Sequence, residues 1–103
     1  MQKGPVTPKG FGDIFPEDAK KRKLFLNKIS IVLEKYGFHP LETPIVEFAD
    51  TLLGKYGEEE KLMYTFEDKG GRKLALRYDL TVPLARFVAN NIGLLNPTFA
   101  RYQ

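Results

Sequence analysis

Two alternating runs, residues 62–67 (LMYTFE) and 73–78 (KLALRY), flank the segment Asp68-Lys69-Gly70-Gly71-Arg72. Alternation with period two puts apolar side chains on one face of a strand, and a short Gly-containing linker lets the chain reverse. The pattern predicts a β-hairpin, which commits the chain to an antiparallel sheet. Upstream, Pro16 fits a first helical turn, and Glu17 and Asp18 suit the positive end of a helix dipole. Leu24, Phe25, Ile29, Val32, Leu33 and Tyr36 then recur at helical spacing, one apolar stripe that Gly37 is placed to end.

Between helix and hairpin, residues 38–46 (FHPLETPIV) carry strand-forming side chains together with Pro40 and Pro44. Proline cannot donate to a ladder, so this strand is expected at an edge, a bulge or a subunit boundary. Residues 47–56 read as a short helix or turn, and residues 57–60 as a polar loop. After the hairpin, Thr81 offers an N-cap hydroxyl, with Pro83 inside the first turn. Leu84, Phe87, Val88, Asn91 and Ile92 share a helical face that Gly93 closes, and residues 98–103 begin another strand. Residues 1–15, rich in Gly and Pro, form an irregular lead-in. The order of elements is that of an α+β fold around an antiparallel sheet.

Composition narrows the function classes. Among 103 residues there is no cysteine and one histidine, His39, which excludes a disulfide scaffold, a thiolate zinc site, a Cys nucleophile and a His-based metal cluster. No apolar stretch approaches the about 20 residues a membrane helix needs, and the first residues lack the apolar core of a leader peptide. No membrane contact and a cytoplasmic location are therefore expected. The net charge of +3 is uneven, with eight basic and four acidic residues up to position 39 and eight and nine after it. Lys20, Lys21, Arg22 and Lys23 fit the wet face of one helix, with nucleic-acid contact as the alternative.

Residues 76–81 (LRYDLT) carry the most chemistry. Arg77, Asp79 and Thr81 alternate at a strand end, beside a helix N-terminus rich in backbone donors. Two readings fit. Asp79 and Thr81 can cap the helix, with Arg77 paired to a nearby acid, or Asp79 can hold a ligand ammonium by a charge-assisted hydrogen bond. Gly70-Gly71 sits in a hairpin turn, not between strand and helix, and is no phosphate loop. The acids at 58–60 read as a solvated run, with a divalent cation as the alternative, and His39 reads as a surface residue at a strand start.

Four ordered pieces resemble the start of the catalytic domain of class II aminoacyl-tRNA synthetases, specifically the histidyl-tRNA synthetase family. They are residues 8–16 (PKGFGDIFP), the helix followed by Tyr36-Gly37-Phe38 and Leu41-Glu42-Thr43-Pro44, the hairpin residues 63–72, and residues 75–86 (ALRYDLTVPLAR). Arg101-Tyr102-Gln103 is similar to the approach to the family's motif 2. The resemblance implies that residues 16–103 are the N-terminal part of a class II catalytic domain. This part would hold the motif 1 helix and strand and stop before the motif 2 arginine. It implies that Asp79, Leu80 and Thr81 bind the α-ammonium side of histidine, and that Phe38, Thr43 and Pro44 belong to the motif 1 surface of a homodimer. The parent would be a histidine–tRNA ligase using ATP with Mg and tRNA(His). This stretch alone would hold no catalytic residue, no metal ligand and no complete ATP site, and would be inactive. A regulatory paralogue that controls ATP phosphoribosyltransferase, with proline where Tyr78 stands, and a non-catalytic dimerisation module are the alternatives.

Overall fold

The computed structural model of the chain describes residues 4–54 and 57–103. They fall into two compact units, Met1–Phe38 and His39–Gln103. In the first, residues 4–15 form no helix or strand, while residues 1–3 of the expected lead-in lie outside the described residues. Helix α1, Pro16–Lys35, starts at the expected proline, with Glu17 and Asp18 in its first turn and no side-chain cap. Its end is a Schellman stop. The N–H of Gly37 donates to the Glu34 carbonyl at 3.0 Å and that of Phe38 to the Leu33 carbonyl at 3.1 Å. Such a reversal needs a left-handed residue, which Gly37 supplies at φ 86°. No residue of α1 is buried, and Phe25 and Val32 of its apolar stripe are 64% and 54% exposed.

The second unit contains β1 (His39–Pro40), β2 (Val46–Phe48), α2 (Ala49–Leu52), a 3-10 turn (Gly57–Leu62), β3 (Thr65–Glu67), β4 (Lys73–Leu76), α3 (Thr81–Asn91) and β5 (Arg101–Tyr102). Strands β2, β4 and β3 form an antiparallel sheet in that order, and β1 pairs separately with β5. The fold is α+β, with the expected antiparallel sheet and one addition, since the β1–β5 pair is parallel. The proline-bearing run does not make one continuous strand. It breaks at residues 41–45, with Pro44 in the gap, and leaves β1 and β2 as edge strands of two different sheets.

The hairpin forms where the alternation places it, in shorter strands. Its first arm starts at Thr65 because residues up to Leu62 are drawn into the 3-10 turn, and Met63 N–H donates to the Glu60 carbonyl at 3.1 Å. Its second arm ends at Leu76 as the chain turns toward α3. Asp68 organises the reversal. Its Oδ1 accepts from the N–H groups of Gly70 and Arg72, both at 2.9 Å, and its Oδ2 from Arg72 Nε at 2.6 Å. Gly71 supplies the left-handed residue at φ 79°. Of residues 47–56, expected as a short helix or turn, Ala49–Leu52 form α2, whereas Glu47 and Phe48 belong to β2 because they continue the ladder with β4, and Lys55 and Tyr56 lie outside the described residues.

The core of this unit is small. Ala49, Leu52 and Ala75 are buried, with Leu53, Met63 and Val82 packed against them. Ala75 lies at the centre of the sheet, in register with Glu47 on one side and Thr65 on the other. Helix α3 adds buried Pro83, and the Phe87 and Phe99 rings pack with centroids 6.3 Å apart. Of the face expected on α3, Leu84, Phe87, Val88 and Asn91 are partly covered, whereas Ile92 lies beyond the helix and is 71% exposed.

Candidate functional site

The segment that joins β4 to α3 holds the sequence-predicted residues. Arg77 continues the ladder by one bond, its N–H donating to the Ile45 carbonyl at 2.9 Å. Its Nη1 donates to the Thr43 carbonyl, also at 2.9 Å. The strand does not run on to residue 81, so the expected alternation of Arg77, Asp79 and Thr81 on one face is not formed. The residues after Leu76 bend into the helix instead. Thr81 is the first residue of α3 and not its N-cap; Leu80 takes that position, without a side-chain cap bond. The capping role passes to Asp79, whose Oδ1 accepts from Thr81 N–H at 3.1 Å. Asp79 is partly covered and Thr81 exposed.

This turn places an acid beside the first turn of a helix, whose N–H groups lack intrahelical acceptors. A carboxylate has about four lone-pair sites, and pinning one oxygen to the backbone orients the other. Arg77 and Leu80 also line a cavity of about 350 Å³, together with Leu41, Glu42, Thr43 and Gln103. Thr43 is buried, and its Oγ1 is a buried polar atom with no hydrogen-bond partner among the described residues. Pro44 is exposed, and Phe38, in the first unit, is 38% exposed.

Other candidates resolve into local structure. Glu58 pairs with Lys61 at 2.6 Å, Glu60 accepts from the Gly54 N–H, and the side chain of Glu59 lies outside what is described. Among the described residues no three His, Cys, Asp or Glu side chains gather as a metal centre would need. Lys20 to Lys23 are exposed on α1, and His39 N–H donates to the Ala100 carbonyl at 3.1 Å in the β1–β5 pair. The Asp68 carboxyl is held below its usual range, first by the Arg72 N–H and then by the Arg72 guanidinium and the Gly70 N–H.

Sequence reasoning missed one charged pair. Glu47 is 7% exposed, and its Oε1 accepts from Arg86 Nε at 2.9 Å, tying β2 to α3. A signal was present: Glu47 sits between Val46 and Phe48, so strand alternation sets it against its two apolar neighbours.

Comparison with known proteins agrees with these elements. The family profile described as histidyl-tRNA synthetase matches residues 10–102. A histidine–tRNA ligase of Aeropyrum pernix is 55% identical over 101 residues, covering 95% of this chain and 23% of that protein. A solved histidyl-tRNA synthetase from Nostoc sp. PCC 7120 superposes with a TM-score of 0.83 at 39% identity, over 95% of this chain and 23% of that one. An apo histidyl-tRNA synthetase of S. aureus gives 0.75 at 32% identity, over 92% and 23%. The chain thus spans about a quarter of the length of the relatives it matches.

Proposed function

The chain belongs to the histidyl-tRNA synthetase family, and on that footing we propose that it supplies the amino-acid ammonium half-site of a class II histidine–tRNA ligase. The carrying observation is the Asp79 turn, where a carboxylate is fixed by Thr81 N–H at the start of α3. In this reading Asp79 holds the α-ammonium of histidine, Thr81 adds its hydroxyl, and the Leu80 backbone lines the pocket. Anchoring the ammonium orients the substrate carboxylate for in-line attack on the α-phosphate of Mg-ATP. That step forms histidyl-adenylate and releases pyrophosphate. A tRNA(His) hydroxyl then takes the histidyl group and AMP leaves. Charge on the phosphate needs cationic partners in the transition state. We assign these to parts of the enzyme outside these residues, so the 103-residue chain activates no histidine unaided.

The same reading makes Phe38, Thr43 and Pro44 part of a homodimer surface and places the work in the cytoplasm, where tRNA is charged. Identity of 55% to a histidine–tRNA ligase supports the ligase over a regulatory role. The test compares L-histidine with its desamino analogue, imidazolepropionate, in a longer polypeptide bearing this segment. Losing one hydrogen bond to a charged group costs about 1.5–3 kcal/mol. Asp79→Asn should therefore weaken histidine binding about 10- to 100-fold and leave the desamino analogue unchanged. Equal weakening of both ligands would refute the ammonium role. Histidine-dependent pyrophosphate exchange by the 103-residue chain would refute the inactivity of that chain.

A further inference from the structure

Glu47 is a carboxylate almost wholly removed from water, in an edge strand of three residues. Burial of an ion pair is weak evidence for stability, because an apolar pair of similar volume often serves as well. What such a pair supplies is direction: a bond between Oε1 and Nε fixes both distance and approach angle. Direction is what the contact between α3 and the sheet otherwise lacks. Ala75 presents a single methyl group, and Val82 of α3 packs against the cluster that it forms with Ala49 and Leu52 of α2. Small, smooth surfaces slide; Glu47 and Arg86 give the helix one setting. Arg86 lies five residues after Thr81, about 7.5 Å along the helix axis. At the α3 N-terminus Leu80, the N-cap residue, makes no side-chain cap bond, and Asp79 Oδ1 accepts from Thr81 N–H at 3.1 Å. Val82 and buried Pro83 seat the first turn by apolar packing, and the Glu47–Arg86 bond adds the directional constraint from the middle of α3.

We propose that Glu47 and Arg86 are positioning residues that set the Asp79–Thr81 turn through the rigid body of α3. Neither touches the ligand; both act on where its ammonium partner stands. The consequence for ligand affinity rests on the reading of Asp79 given above, whereas the positioning itself does not.

Site-resolved amide hydrogen exchange in the 103-residue chain tests this, using Glu47→Gln, Arg86→Gln and the double variant. Exchange at Thr81 N–H and at Leu84 N–H, which donates to the Leu80 carbonyl, should accelerate about tenfold in each single variant. Hairpin amides such as Gly71 and Leu76 should change less than about twofold, and the double variant should be no worse than either single one. Arg86→Lys, which keeps the cation, should recover most of the protection and remains informative if a Gln variant fails to fold. Uniform acceleration across the unit, additive losses in the double variant, or an unchanged α3 N-terminus would overturn the proposal. Histidine titrations of a longer polypeptide bearing this segment read the other claim separately. Glu47→Gln should weaken histidine binding there about tenfold. If that polypeptide with the original sequence binds none, the ammonium reading falls while the exchange data still judge the positioning.

Discussion

The two faces of the β2-β4-β3 sheet are built on opposite plans. One face carries Glu47, Ala75 and Thr65, and helix packing buries Glu47 and Ala75 while Thr65 on the outer strand stays exposed. The other carries Val46, Phe48, Phe66, Leu74 and Leu76, in register across the strands, and Val46, Phe48 and Phe66 are 36%, 54% and 42% exposed. Alternation thus shows which residues travel together and not which set is inside. Cover decides that: α2 packs closely because Ala75 leaves room, while on the other face Leu74 and Leu76 are half-buried and Val46, Phe48 and Phe66 are exposed.

The sharpest way to break this contrast is to empty the covered side. Leu52 is fully buried, and Leu52→Ala should cost about 2–5 kcal/mol, measured as a lower urea midpoint at unchanged slope. A loss below about 1 kcal/mol would mean that α2 does not seal that face. Next in size, Ala75→Val overfills a position with no free surface and should cost about 1–3 kcal/mol. On the open face Phe48→Thr should stay within about 0.5 kcal/mol of the original chain while raising its solubility. A cost as large as that of Leu52→Ala would show that Phe48 is covered in solution and would erase the difference between the faces.

The smallest effect is local and depends on pH. Asp68 has a lowered carboxyl pKa in the folded hairpin. Its stabilising contribution is therefore present above the ordinary value of 3.8 and is lost as pH falls through the lower folded value. Acid titration followed at the Gly70 and Arg72 amides should show the turn loosening ahead of the sheet, and Asp68→Asn should remove that dependence.

Much of this was legible because it rests on local chemistry. Pro16, Gly37 and the segment 68–72 act within a few residues of themselves, and the structure places α1, its stop and the hairpin where they indicate. The candidate site was legible as residue types and not as geometry. Of the two residues expected to cap α3, Asp79 does so and Thr81 does not, because the chain leaves the strand at Leu76 and turns earlier than alternation alone implies. Glu47 and Arg86 escaped notice for a different reason. They stand 39 positions apart, and alternation around Glu47 can set its face without naming a partner so far along the chain.

The parallel pair β1–β5 deserves a kinetic description. Two residues on each side close a loop of about sixty residues that holds the whole sheet and α3. Entropy lost in closing so long a loop is recovered through only a short rung, whose outer bonds are His39 N–H to Ala100 at 3.1 Å and Leu41 N–H to Tyr102 at 3.0 Å. Such a rung behaves as a latch that fastens after the hairpin and opens before it. The strand start at Arg101 is thus held least firmly of the ladders in this unit, and the His39 and Leu41 amides should lose their protection first.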